Sequence, residues 1–383
     1  MKYFFLLILI LAEIGCSSPV SQKSDVFTLE FQPGKTIKKY DLSTIIDSIF
    51  RIIPLETKPE CLIANIDKLE IVDGKFIILD KMGKSILLFD DKGKFISRIK
   101  KIGKGPGQYL EITSMTATKD SIIVFDINLR KQLVYDYQGN LLSEEMLLKK
   151  LWAMDVFELN NTLYYVNDYS DSELGKYRLF SMNKGSDEIG KFLEFDKREF
   201  SLTINGPIYS KYSKGASMIY SGCDTIFSLD NGKVKAKYRV DFKAHKATTS
   251  SNRPEDLILE STDNSEVLGI DAINESDDYL FIRINGTNDV WYMILHKKTQ
   301  EYFITDENFL MGQFGGKLCH VMRIINDKIY DYADASNLLF SYNYGLEKNE
   351  FKNRSFKVKL DSVIQNISED SNPVIFEHNI VAK

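Results

Sequence analysis

The chain holds 383 residues, 44% hydrophobic and 27% charged, which supports a sizeable core and argues against disorder. Its 49 Lys+Arg against 54 Asp+Glu leave a formal charge of −5, so no basic surplus points to nucleic acid as a partner. Aromatics reach 12%, dominated by 24 Phe and 20 Tyr, an enrichment that favours many short strands packed face to face.

Met1-Lys2 is a short basic start, residues 3–12 form an apolar run of ten, and Glu13-Ile14-Gly15-Cys16 leads into polar Ser17-Ser18-Pro19. This reads as a cleaved signal over residues 1–15. A retained anchor would need about 20 apolar residues as helix to cross about 30 Å of hydrocarbon. Gly15-Cys16 suits a bacterial lipobox, in which Cys16 becomes the first mature residue and carries lipid that holds a soluble domain at a membrane. Plain secretion is the other reading, and both imply export. Residues 16–49 are then the lipidated Cys and a linker, and 50–383 a single domain. Cys61, Cys223 and Cys319 remain, an odd set without C-x-x-C or zinc spacing, and read as small buried hydrophobes.

From residue 66 the chain repeats one phrase, four β-rich runs separated by tight turns. Residues 66–72, 76–80, 85–90 and 95–100 form the first unit, with Asp73-Gly74 and Asp91-Lys92-Gly93 as hairpin turns. A second unit (112–118, 121–126, 131–136, 141 onward) follows about 46 positions later, the spacing of propeller blades. Longer units follow at 151–195, 200–242 and 267–305. A sixth begins with 320–325, 328–332 and 338–342 and lacks an outer strand, which residues 50–55 can supply, closing the ring by pairing the chain ends. The expectation is all-β: a six-bladed β-propeller of four-stranded antiparallel blades. Pro254-Glu255-Asp256 suggests a short helix within 252–265, and 356–367 is read as helical in its latter half before Asn372-Pro373 starts a last extended stretch.

Gly103-Lys104-Gly105-Pro106-Gly107-Gln108-Tyr109, between an outer strand and the next inner one, resembles the glycine-rich link of NHL-type propellers. With residues 50–57 (Phe-Arg-Ile-Ile-Pro-Leu-Glu-Thr) and Asp370-Ser371-Asn372-Pro373-Val374, the mature chain resembles the six-bladed β-propeller lipoproteins of Bacteroidetes. The resemblance implies the propeller fold and no settled activity, because propellers host binding and catalysis alike.

Asp80 and Asp126 end the second runs of the first two units, and Asn167-Asp168 follows the matching run of the third. A ring of such side chains can form an oxygen-rich funnel for Ca²⁺ or sugar hydroxyls; Asp and Asn at strand ends also cap their own turns. No other cofactor is implied. The four histidines, His245, His296, His320 and His378, are too scattered for a metal motif. Neither a Gly-x-Ser-x-Gly nucleophile elbow nor a P-loop occurs. Arg178, Arg283 and Trp291, with Tyr177 and Tyr292, read as exposed groups for stacking on a sugar or peptide.

Two functions stay open. One is a cell-envelope lipoprotein, on the periplasmic or the surface face of the outer membrane, whose propeller binds a glycan, peptide or protein without turnover. The other is a metal-dependent propeller hydrolase, lyase or lactonase-like enzyme with its site in the axial channel.

Overall fold

The computed structural model describes residues 26–381 apart from 39, 148–150, 152, 168–171, 187, 196–205, 231, 249–255, 257–264, 307–322 and 348–353. Short hairpins build most of it. At Asp73-Gly74, Asn160-Asn161 and Asn326-Asp327 both turn residues have positive φ, the geometry whose twist matches the flanking strands and which Asn, Asp and Gly tolerate. Consecutive hairpins give blade 1 (Lys68–Val72, Lys75–Asp80, Ser85–Phe89, Phe95–Ile99) and blade 2 (Ser114–Ala117, Ile122–Asp126, Lys131–Tyr135, Leu141–Met146). Blade 3 is Asp155–Leu159, Thr162–Val166, Tyr177–Asn183 and Ile189–Glu194, and blade 4 is Tyr209–Tyr212, Gly215–Met218, Thr225–Asp230 and Lys233–Asp241. Blade 5 is Val267–Glu275, Tyr279–Gly286, Val290–His296 and Tyr302–Asp306. The first strand of each blade lines the axis, and these strands lie against one another around it.

Both faces of a blade are covered, so its inner strands read as unbroken apolar runs. In Phe76-Ile77-Ile78-Leu79, Ile77 and Leu79 join Met115, Val124 and Leu133 of blade 2. Phe76 and Ile78 face the other way, onto Tyr330 and Ile375 of blade 6. The glycine-rich link is structural: the Gly105 N–H donates to the Gln108 side-chain oxygen at 2.9 Å, and the buried Tyr109 hydroxyl donates to the Ile99 carbonyl at 3.0 Å. Gly107, at φ +66°, is held by the Tyr135 hydroxyl on its carbonyl at 3.1 Å.

Blade 6 departs from expectation in its third strand. Residues 338–342 belong to a helix, α1 (Ala335–Glu347), followed by α2 (Arg354–Ile364), and the third strand is Val374–Ile380. The first two strands are Arg323–Ile325 and Lys328–Ala333, and the outer one is Ile46–Pro54, pairing Phe50 with His378 and Pro54 with Val374. Closure by the chain ends is therefore as expected, with a helical insertion inside the blade. Helix wins at 335–347 because Ala335, Leu338 and Gly345 bury one helical face, a period that a strand cannot present to the core. α2 starts two residues earlier than the expected segment and occupies its first half rather than its second. The proposed helix at 252–265 lies outside the described residues apart from Asp256 and Ser265.

Two motifs singled out in the sequence meet at this closure. The buried Asn372 side chain donates to the carbonyls of Glu56 (2.7 Å) and Cys61 (2.8 Å) and accepts from the Ile63 N–H (2.9 Å). Gly93 in a blade 1 turn, at φ +80°, lies so close to the closing strand that a Cβ there would sit 2.3 Å from the Pro54 carbonyl. The segment read as a linker also takes part in the fold. Phe27–Glu30 adds to the outer edge of blade 4 as a fifth, parallel strand, and Ile37 bridges to Thr305 of blade 5.

Candidate functional site

The first strands alternate along their length, one set of side chains entering the inter-blade core and the other turning toward the axis. In blade 1 Leu69 is core, while Lys68 and Glu70 meet residues of four other blades. Lys68, Ser114 and Asp155 occupy equivalent positions, since they pair with Leu79, Phe125 and Val166, each one residue before the end-of-strand Asp80, Asp126 or Asn167. They converge: the Lys68 amine donates to Ser114 Oγ (3.2 Å), Asp155 Oδ1 (2.6 Å) and the Val156 carbonyl (2.9 Å), and Ser114 is hydrogen-bonded to Asp155.

Two residues further along blade 1, Glu70 Oε1 accepts from the Tyr209 hydroxyl at 2.5 Å. Glu70 also lies 3.7 Å from Lys211 Nζ of blade 4, 3.7 Å from Arg323 Nη2 of blade 6 and 4.0 Å from Lys68. Arg323 donates to the Tyr209 carbonyl (2.9 Å) and stands over its ring, while Phe157 stacks on the same ring at 4.1 Å. Blade 5 enters through Asn274, whose side-chain oxygen accepts from the Ile324 N–H at 2.9 Å. The result is a buried charged hub across the axis, three cations against two carboxylates.

Burial by itself would push the Glu70 carboxyl up, but Lys211, Lys68, Arg323 and the Tyr209 hydroxyl outweigh it and hold the group at about 2. Burial also drives the Tyr209 phenol well above its ordinary value, reinforced by the Glu70 charge, so it stays a donor. The Lys68 amine is pulled down by burial, with Asp155 and Glu70 opposing. Glu70 is thus a fixed anion and Tyr209 a fixed donor. Neither exchanges a proton near neutrality.

A second buried cluster sits between blades 4 and 5. Glu275, fully buried, takes Lys237 (2.9 Å) and Lys297 (2.7 Å) on one carboxylate oxygen and Ser217 on the other, with Tyr212 beneath both amines.

Residues 28–378 match the profile of the family described as Domain of unknown function (DUF4934). The chain belongs to the DUF4934 family. Among solved structures it is similar to a Bacteroides fragilis protein whose name calls it exported, at 18% identity and TM-score 0.72, over 93% of this chain and 100% of that one. It is also similar to a DUF4221 family member from Bacteroides vulgatus, at 12% identity and TM-score 0.53, over 88% and 98%. These likenesses show a shared fold. No curated protein matches the chain.

Within this DUF4934 propeller the residues expected to form a site are dispersed. Asp80 and Asp126 are fully buried, and each ties its own turn to the preceding link. Asp80 accepts from the Ala64 (2.9 Å) and Gly83 (2.7 Å) N–H groups, Asp126 from those of Leu110 (2.7 Å) and Asn128 (2.9 Å). Asp168 and Cys16 lie outside the described residues. Arg178, Trp291 and Tyr292 are buried, contrary to their exposed reading, because they stand on the middle strands of their blades. Arg178 lies between the rings of Phe195 (5.0 Å) and Tyr220 (3.9 Å), and Trp291 meets Phe31 edge-on at 5.4 Å. Arg283 pairs with Asp271. Among the described residues no group of three or more His, Cys, Asp or Glu is placed to hold a metal; Cys61 and Cys223 are free and buried, while Cys319 and His320 lie outside those residues. The hub leaves one local trace in the sequence: Lys68-Leu69-Glu70 alternates charge, apolar, charge on a strand whose first three residues are buried.

Proposed function

We propose that this chain is an exported, lipid-anchored propeller of the cell envelope that binds a glycan or protein partner without transforming it. The observation that carries the binding half is the axial hub. The charged groups at the axis are committed to one another, and Glu70, held ionised, and Tyr209, held protonated, brace the blades rather than exchange protons. Recognition then belongs to the half-buried groups at its margin, Asp155 and Lys211, and to the surrounding turns. Export and anchoring are supported by the basic start, the apolar run and Gly15-Cys16, and by the exported name of the Bacteroides fragilis relative.

Thermal-shift screening of the mature chain against glycans, peptidoglycan fragments, divalent ions and chelator tests this. A ligand at 100 times its Kd stabilises the native state by about 2.7 kcal/mol, a shift of a few degrees in a protein of this size. Saturable stabilisation with the ligand recovered intact is the expected result. Conversion of a bound compound, or activity abolished by chelator, overturns the binding reading. The mass of the Cys16 peptide from membranes reads the anchor separately.

A further inference from the structure

The seam between blades 4 and 5 brings two ammonium groups onto one buried carboxylate. One irregularity in the outer strand of blade 4, Lys233–Asp241, makes this possible. Ile226 pairs with Tyr238 and Phe227 with Ala236, so Lys237 is the extra residue of a β-bulge. Successive side chains of a regular strand point to opposite faces. At the bulge Lys237 and Tyr238 turn to the same side, and the amine lies 4.9 Å from the Tyr238 ring and 4.7 Å from the Tyr212 ring. Bulges that re-aim a side chain in this way recur beside active sites.

Lys297, in the turn after the third strand of blade 5, reaches the same place from the other blade. Lys297 and Lys237 both donate to Glu275 Oε1, at 2.7 and 2.9 Å, so their nitrogens stand no further apart than two hydrogen-bond lengths. Glu275 is wholly buried and its other oxygen accepts from Ser217, whereas the Lys237 side chain is 28% and that of Lys297 14% exposed. Two cations therefore face outward over one carboxylate. Burial alone would pull the Lys237 amine down, but Glu275 and the Tyr212 hydroxyl outweigh it and keep the group charged. The acids of the adjoining turn have other partners: Asp277, although in the field of Lys297, accepts from the Ser213 N–H (3.2 Å) and hydroxyl (2.7 Å), and Asp278 pairs with Lys298 at 2.9 Å. An ammonium carries three donors. Among the described residues Lys237 uses two, on Glu275 and the Tyr212 hydroxyl, and Lys297 two, on Glu275 and the Ser276 carbonyl, which leaves one N–H on each.

We propose that Lys237 and Lys297 form a cradle for one oxyanionic group, a carboxylate or sulfate of the kind that acidic sugars carry. The group accepts the remaining N–H of each ammonium and offsets the repulsion between two cations that share a single carboxylate. The site lies in the seam between blades 4 and 5, apart from the axial hub, and stands whether or not the chain is anchored.

The test is thermal melting and isothermal titration of the chain from residue 17 onward with sodium sulfate, sodium acetate and sodium glucuronate, each against sodium chloride of equal ionic strength. Saturable binding of at least one of these anions at one site per chain is expected, with a rise of a few degrees in melting temperature at 100 times the Kd. Sulfate also raises melting temperatures generally, because it is excluded from protein surfaces, and Lys237→Gln separates the two effects. That variant leaves Lys297 paired with Glu275, so it should melt no lower than the parent without anion, yet lose roughly tenfold in affinity, the worth of one charge-assisted hydrogen bond. Lys235→Gln removes the same charge from an exposed position on the same strand and should respond like the parent. A stronger response to glucuronate than to acetate makes the ligand a sugar acid and an equal one makes it a bare carboxylate; the cradle stands in both cases. A folded parent that binds none of the three saturably overturns the proposal, as does a Lys237→Gln chain that keeps the parent's affinity. Should Lys237→Gln fail to fold, Lys297→Gln, which leaves the Lys237–Glu275 pair, is read by the same outcomes.

Discussion

Blades 1 and 2 are each made from four consecutive strands, whereas blade 6 takes its outer strand from residues 46–54 and blade 4 gains a fifth from residues 27–30. The first pair can form from contacts close in sequence. Blade 6 cannot be complete until strands more than 300 residues apart have met, which carries the loop-closure entropy of the whole ring. The molecule thus has a locally encoded side and a side sealed by its N-terminal segment, and the axial hub joins the two.

The largest expected effect comes from equal truncations on the two sides. Phe89→Ala in blade 1 and Phe376→Ala in blade 6 each remove a buried ring, and each should cost about 3–5 kcal/mol in denaturant unfolding. They should part in native-state hydrogen exchange. Phe376→Ala is expected to release Ile46–Pro54 and Val374–Ile380 together at low opening energy, whereas Phe89→Ala weakens blade 1 without freeing the chain ends. Matching exchange patterns would erase the distinction.

The hub supplies the next test. Glu70→Gln leaves Lys68, Lys211 and Arg323 facing Asp155 alone, and an uncompensated buried charge costs about 3–5 kcal/mol. Because the folded Glu70 value, about 2, lies below its ordinary 4.5, its ion pairs contribute stability above pH 4.5 and lose it as pH falls toward 2. Acid melts should show a decline across that window in the parent and a smaller one in Glu70→Gln. The N-terminal strap ranks below this: Leu29→Ala, buried on the fifth strand of blade 4, should cost about 2–3 kcal/mol by thermal denaturation.

How much of this was legible follows the same division. The strands of blades 1 and 2 were readable because Asp73-Gly74 and Asp91-Lys92-Gly93 mark turns between neighbours that pair directly. The third strand of blade 6 was misplaced because the chain leaves the sheet after Ala333 for two helices and returns only at Val374, and pairing order across such an excursion leaves no local trace. Phe27–Glu30 reads as linker in the sequence because a four-residue parallel strand on an outer edge has no turn to announce it. The end-of-strand Asp80 and Asp126 stand out in the sequence as either ligands or turn caps; their oxygens hold turn amides. Lys68-Leu69-Glu70 marks charge on a buried strand, but its partner Asp155 is not legible, because sequence spacing carries no information on which blades face across an axis.

The smallest effect concerns an edge that the strap does not reach. Leu141–Met146 is the outer strand of blade 2, and Leu142 on it is 57% exposed, while the outer strand of blade 4 is covered over Tyr238–Asp241 by Phe27–Glu30. An open edge strand invites pairing with another chain. This one is blunted by an irregularity between Leu141 and Ser143 and by two acids, Glu144, which binds Lys131, and Glu145. Leu142→Ser should therefore change unfolding free energy by less than about 0.5 kcal/mol, as surface substitutions usually do. Glu145→Ile should leave stability similarly unchanged yet raise self-association, read as concentration-dependent mass in sedimentation velocity, because it removes a repelling charge from an unpaired edge. The matching substitution on blade 4, Arg239→Ile, is expected to leave the protein monomeric, since Arg239 already pairs with Thr28 of the fifth strand. If both variants associated equally, covering the edge would not be what the strap contributes, and the two sides of the ring would differ only in how they are assembled.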